Sequence, residues 1–377
     1  MSYDVAVAGA GVFGVWIAYQ LRLAGASVLL LDAYGPGNSR ASSGGESRII
    51  RLGYGPDEIY SRSAQQSLVL WKQLFNKTEN LFQNTGMLWL AREHDPYCEA
   101  TLATIQRIGA NCERLDHDEL VRRFPQLTFG PVTWGILEPD SGMLLARRSV
   151  QAVVSQACAA GVDYLEEAAT PPKQGGGKVT TSSGREIVAK HFVFACGPWL
   201  PKLFPDLLGK LIHVTRQEVF FFGVPPGNES FNAGVMPAWI DFNDLVYGIP
   251  NLDGRGFKIA IDAHGPEFDP DSGQRVVTSS GLEAVRKYMA QRVPLLANAP
   301  VTETRVCQYE NTSNGDFLID RHPEFENVWL VGGGSGHGFK HGPVVGEYVT
   351  QMISGRGEPQ PRFTLATKQR IQSREVF

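Results

Sequence analysis

The chain lacks long apolar runs. No stretch approaches the roughly 18 apolar residues that a membrane span needs. It opens directly into a strand, without a basic segment followed by an apolar signal core, so a cytoplasmic protein is expected. Cysteine is scarce: Cys98, Cys112, Cys158, Cys196 and Cys307 are odd in number, widely spaced and free of any C-x-x-C pair. That speaks against a disulfide framework or a structural zinc site, and no metal is expected. Positive charge is not in excess. A net charge of -4 argues against nucleic acid or an anionic membrane as the main partner. Low-complexity tracts and internal repeats are absent as well. What remains is 377 residues of ordinary globular composition, 43% hydrophobic and 20% charged, enough for two domains or one two-lobed unit.

The stretch Tyr3 to Asp32 organises the reading. Val5–Ala8 is a short apolar run suited to a buried parallel strand. Gly9, Gly11 and Gly14 form a G-x-G-x-x-G turn, a helix is expected over about Val12–Ala24, and Val28–Leu31 forms a second strand ending at Asp32. In this setting Gly9 permits the turn, Gly11 admits a pyrophosphate, and Gly14 lets helix and strand pack closely. The helix N-terminus, at Val12 and Phe13, suits phosphate, and Asp32 suits a ribose hydroxyl. The pattern points to an adenine dinucleotide and leaves NAD or FAD open.

Downstream, a Gly/Ser-rich loop offers Ser42, Ser43 and Ser47 to a polar cofactor. Arg48 could pair with Glu46 or face a ligand, and Arg51 could present a fork to a carboxylate. A surface salt bridge is the plain alternative for both arginines. Helices are expected over about Glu58–Leu74, Cys98–Ile108, from near Asp116, over Ala146–Ala160 and over Pro343–Ile353. The run Phe82–Ala91 has strand character, and Gly175–Gly177 marks a hairpin tip. An apolar strand ends in Ala195-Cys196-Gly197, where a backbone can approach a ligand. Arg216–Val301 is β-rich and dense in aromatics, which suits a substrate cavity. Val328–Val331 followed by Gly332–Lys340 makes a second strand, glycine loop and helix.

Together these segments resemble the flavoprotein family of monomeric sarcosine oxidase, N-methyltryptophan oxidase and the fructosyl amino acid oxidases, within the D-amino-acid-oxidase-like superfamily. The likeness rests on Gly9/Gly11/Gly14 with Asp32, Gly45-Glu-Ser-Arg-Ile-Ile-Arg51 with Tyr54-Gly55, Ala195-Cys-Gly-Pro-Trp199, Gly256-Phe-Lys258, Val306-Cys-Gln-Tyr309 and Gly334-Ser-Gly-His-Gly-Phe-Lys340. It spans Val5 to about Met352. The resemblance implies α/β plus α+β architecture. A Rossmann-type FAD-binding domain would comprise residues 1–80, 146–215 and 302–377. An interleaved substrate domain, on a mixed and largely antiparallel sheet, would comprise 81–145 and 216–301.

It further implies FAD attached through Cys307, with Ala195, Gly197, Trp199, Gly334, Gly336, His337, Gly338 and Phe339 beside the cofactor. Arg51 and Lys340 would grip a substrate carboxylate. Lys258 would promote oxygen activation, Arg48 would support the reduced flavin, and Tyr247 and Tyr309 would line the substrate cavity. The implied reaction takes hydride from the carbon beside a secondary amine to flavin N5. The imine then hydrolyses, and O2 becomes H2O2. Two departures bear on the substrate. Ser43-Gly44 stands where sarcosine-oxidising members often carry a histidine pair, and Asp262 replaces a histidine four residues after Lys258. An acid there favours a substrate with an extra cation or polyhydroxyl group over sarcosine itself. A small-molecule amine and O2 are the expected partners, and a monomer the expected state. The alternatives are an amine dehydrogenase with a non-oxygen acceptor and an NAD(P)-dependent dehydrogenase.

Overall fold

The computed structural model describes residues 2–172 and 178–372. The hairpin tip expected at Gly175–Gly177 lies outside the described residues. Strand β1 (Ser2–Ala8), helix α1 (Val12–Leu23) and strand β2 (Val28–Leu31) form the opening unit. β1 sits at the centre of a sheet because Val5, Ala6, Val7 and Ala8 can be buried on both faces. It pairs in parallel with β2 on one side and with Glu186–Phe194 on the other. The order runs Leu318–Arg321, Val328–Gly332, Glu186–Phe194, β1, β2, Asp163–Leu165, and Lys178–Thr180 pairs with Glu186–Phe194. Only the strands Leu318–Arg321 and Lys178–Thr180 run antiparallel to their neighbours among the described residues.

A second, eight-stranded sheet has the order Val301–Thr312, Ile212–Phe222, Phe257–Ile261, Val246–Ile249, Ala238–Asp241, Met87–Ala91, Trp134–Glu138, Glu113–Asp116. All its pairings are antiparallel except that of Ala238–Asp241 with Met87–Ala91. The fold is thus mixed α/β with a largely antiparallel second sheet, as the sequence suggested. A small sheet joins β3 (Arg48–Ile50) to Gly142–Leu144 and Phe82–Gln83.

Several segments differ from expectation. Phe82–Ala91 is not one strand: Gly86, at φ +73°, turns the chain, and the halves enter different sheets. The β-rich block Arg216–Val301 also contains a helix, Ser279–Arg292, whose N-terminal Gly281 N–H is capped by the Thr278 hydroxyl at 3.0 Å. Its sparse buried positions, Val285, Met289 and Arg292, give little apolar periodicity to read. The long strand Val301–Thr312 pairs along its length with Ile212–Phe222. The boundaries expected at 215 and 302 therefore fall inside paired strands, and Cys307 rides on the second sheet. The pairing runs from Ile212 opposite Thr312 to Phe222 opposite Val301, so neither strand can be assigned to the first sheet.

Candidate active site

Where β1 meets α1, the backbone does what the glycines demand. Gly9 has φ +105°, and a Cβ there would lie 2.3 Å from the Ala195 carbonyl oxygen. Gly14 could carry no Cβ either, because one would sit 1.8 Å from the Gly9 oxygen; it is the packing glycine. Gly11 differs. A Cβ there would meet only Ser43 Oγ, at 3.5 Å, so the protein itself does not forbid a side chain. The space Gly11 leaves open belongs to a long cleft.

That cleft is lined by Gly9, Gly11, Val12, Phe13, Asp32, Ser42, Ser43, Ala195, Gly197, Trp199, Gly334, Gly336, Gly338 and Phe339. The first N–H groups of a helix lack partners within it. Ser43 Oγ accepts that of Val12 at 3.0 Å. Asp32 accepts from Ala10 N–H (2.7 Å) and Tyr34 N–H (2.8 Å), and burial raises its pKa. Two backbone donors leave further lone pairs on a carboxylate for hydroxyl groups. The Trp199 indole N–H donates to Asp271 at 2.7 Å, and the Ser42 hydroxyl donates to the Gln308 carbonyl at 2.9 Å. Ser47, expected with the other two serines, instead lines a smaller adjoining cavity, as do His337 and Lys340.

The two cavities meet at Arg48, Cys307, Tyr309, Ser335, Gly336 and Phe339. Arg48 does not pair with Glu46, which faces Arg147 at 3.1 Å and Arg255 at 3.6 Å. Arg48 donates instead to the carbonyls of Ser42 (2.7 Å) and Ser47 (2.8 Å) and reaches Cys307 Sγ at 3.4 Å. Lys258 is buried, 3% exposed, and donates to the Ser47 carbonyl at 2.9 Å. Burial, then Arg48, pushes its ammonium well below the ordinary lysine pKa.

The smaller cavity carries both expected carboxylate-binding cations. Arg51 is no surface residue. It is buried, lies over the rings of Tyr54 (4.4 Å) and Trp89 (4.9 Å), and donates to the Gly53 carbonyl. The Lys340 ammonium donates to Tyr54 Oη at 2.8 Å and to the His337 carbonyl at 3.1 Å. Burial, then Arg51, lowers its pKa well below normal. Across the cavity Asp262 accepts the Tyr309 hydroxyl at 2.6 Å, and burial raises its pKa. Tyr247 lines the same cavity, its ring 5.9 Å from Lys258 Nζ. Two buried basic side chains and one half-buried acid around this cavity make a receptor for a zwitterion.

Three residues were not anticipated. Glu138 accepts from Leu52 N–H (2.7 Å), Gly53 N–H (3.0 Å), Trp89 Nε1–H (2.8 Å) and the Ser141 hydroxyl (2.5 Å), and so holds the turn after Arg51. Glu310 lines the long cleft and accepts from Gly334 N–H at 3.3 Å; burial lifts its pKa to about 7. His341, next to Lys340, is fully buried and bonds to Tyr54 and Ser63. The one available signal for the two acids was charge inside apolar strands.

A parallel α/β layer presents a glycine-lined cleft for an adenine dinucleotide, and the cleft's far end opens onto a charged substrate cavity. That arrangement defines a dinucleotide-dependent oxidoreductase. Comparison with known families then specifies the cofactor. Residues 4–352 match the model of the FAD dependent oxidoreductase family, DAO, and the chain belongs to that family. It is 30% identical to monomeric sarcosine oxidase of Bacillus sp. (strain B-0618), covering 94% of this chain and 93% of that protein. It is 28% identical to N-methyl-L-tryptophan oxidase of Citrobacter koseri, covering 97% of each. Among solved structures, L-proline dehydrogenase from P. horikoshii superimposes with a TM-score of 0.83 at 21% identity, over 97% of each chain. That last likeness concerns the fold alone. No described helix is long and apolar enough to cross a membrane.

Proposed function

We propose that the protein is an FAD-dependent oxidase of a secondary amine, an N-substituted amino acid of the N-methyl, cyclic or fructosyl type. The observation that carries this reading is the meeting of Arg51, Lys340 and Asp262 in a buried cavity that joins the long cleft at Arg48, Cys307 and Tyr309. The names of the sarcosine and N-methyltryptophan oxidases agree with it.

FAD supplies the hydride acceptor; the chain does the rest. The open space beside Gly11 and the spare lone pairs on Asp32 suit its ADP half. Ser43 accepts Val12 N–H through its oxygen and so shapes the helix start, while its own O–H proton stays available for a phosphate oxygen. Arg51 and Lys340 grip the substrate carboxylate and fix which carbon faces the junction. Asp262, steadied by Tyr309, meets the far end of the substrate and favours a cation or hydroxyls there. Cys307, buried beside Arg48, is the attachment point for a covalent flavin. Lys258, as an ammonium, would stabilise the negative charge that develops on O2 beside the cofactor. Arg48 would act on the reduced flavin itself.

The test is a peroxide-coupled screen of N-methyl, cyclic and fructosyl amino acids on purified yellow protein, together with acid precipitation. We expect peroxide with one of these classes and flavin that stays in the pellet. In Cys307→Ser the flavin should move to the supernatant. Bound flavin reduced by no secondary amine would refute the oxidase reading, and slow reoxidation in air would indicate another acceptor.

A further inference from the structure

Lys340 is bonded on the side facing away from the cavity. Its ammonium donates to Tyr54 Oη at 2.8 Å; Tyr54 Oη lies 2.7 Å from His341 Nε2; and His341 Nδ1 lies 2.9 Å from the Ser63 hydroxyl. Ser63 is on helix α2 (Glu58–Phe75) and is half-buried, whereas Lys340, Tyr54 and His341 are buried. The donors can all point one way. Once it has taken up a proton, Lys340 has only protons to give, so the Tyr54 oxygen accepts, and the Tyr54 proton goes to a bare His341 Nε2 at 2.7 Å, nearer than His337 Nδ1 at 3.3 Å. His341 Nδ1–H then faces Ser63. The chain therefore forms an unbroken file of exchangeable protons from the substrate cavity to the outer surface.

We propose that Tyr54, His341 and Ser63 form a proton exit from Lys340 to solvent, used once in each turnover. The proposal rests on the oxidase reading given above. A secondary ammonium must shed one proton before its nitrogen lone pair can drive hydride departure. That proton has to leave a cavity already crowded with Arg51 and Lys340. In the step, the substrate N–H bond breaks and the proton joins the neutral Lys340 amine. A Lys340 proton passes to Tyr54, the Tyr54 proton to His341 Nε2, and the Nδ1 proton to Ser63 and on to water. One proton leaves, no electrons move along this path, and each side chain keeps its proton count; His341 is left protonated on Nε2 and returns to the Nδ1 form before the next turnover. The groups around His341 favour passage over storage. Lys340, His337 and Arg51 supply positive charge, Tyr60 and Phe317 present rings, and Tyr54 and Ser63 take the two nitrogens. Burial, then Lys340, lowers the His341 pKa, so the imidazole does not hold a second proton.

The first test needs no turnover. Nitrogen-15 NMR of histidine-labelled protein should find His341 neutral, with Nδ1 protonated and Nε2 bare; the opposite tautomer overturns the proposal. The second uses stopped flow with a pH-indicator dye. In the wild type, release of one proton should keep pace with flavin reduction. In His341→Gln, release should lag reduction at least about tenfold, and in Ser63→Val at least about threefold. Ser63→Thr should restore the wild-type timing, and the flavin spectrum should not change in any of the three. Release in step with reduction in either folded variant overturns the relay while leaving the oxidase reading intact. Wild-type flavin that no secondary amine reduces overturns both.

Discussion

Replacing Glu138 with glutamine should loosen the loop that carries Arg51. Glu138 is 1% exposed and serves four donors with two oxygens. Oε1 accepts from Gly53 N–H and Trp89 Nε1–H, and Oε2 accepts from Leu52 N–H and the Ser141 hydroxyl. A glutamine loses least by keeping its oxygen towards Gly53 and Trp89. Its NH2 then opposes Leu52 N–H, while the Ser141 hydroxyl turns to accept. The loss is one strong bond to a charged group plus a buried N–H left facing a donor, about 3 kcal/mol in all. Unfolding entropy of about 2.1 cal/mol/K per residue, over 377 residues, makes that a fall of about 4 °C in thermal midpoint. Calorimetry at a fixed scan rate measures it. The same slackening should raise KM about tenfold, the equivalent of about 1.4 kcal/mol, with a smaller effect on kcat. A midpoint and a KM both unchanged would refute the claim that Glu138 positions Arg51.

Lys258→Met should slow reoxidation of the reduced flavin by O2 by about two orders of magnitude, with little effect on reduction, as followed by double-mixing stopped flow. Because burial depresses the lysine pKa, oxygen reactivity in the wild type should fall with rising pH before the ordinary lysine range is reached. Glu310→Gln addresses stability in the cofactor-free protein. Its folded pKa of about 7 lies above the ordinary glutamate value of 4.5, so the folded state binds the extra proton between those values. Wild-type stability should therefore decline as pH rises from about 4.5 to about 7, by roughly 3 kcal/mol from this group. The glutamine variant should lose that decline, which urea titrations at several pH values would detect.

Local chemistry made much of the fold readable. Gly9, Gly14 and Asp32 sit where a strand–turn–helix must put them, since backbone conformation and close packing act within a few residues. Arg51 was legible as one of two open alternatives, a carboxylate fork or a surface salt bridge, and Lys258 and Lys340 only through the resemblance, because burial is not visible in a charge. What could not be read depends on distant partners. Glu138 looks like any strand acid until Leu52 and Trp89 are brought to it. The placement of Val301–Thr312 follows from its register with Ile212–Phe222. Of the two alternatives for Arg48, pairing with Glu46 fell away because Glu46 lies in a bend before the strand and faces Arg147 and Arg255, while backbone carbonyls offered Arg48 close acceptors.

The contact between Arg48 and Cys307 spans 259 residues, and that of Ser42 with the Gln308 carbonyl spans 266. Such pairings form late, because the chain must close a very long loop before gaining anything from them. A nascent chain that has exposed only its first domain-sized piece has the Gly9 turn but only one wall of the cleft. Retention of the cofactor should therefore report that synthesis and docking are finished. Flavin content per polypeptide, read by absorbance of the native protein, would measure folding yield in a way that secondary-structure signals cannot.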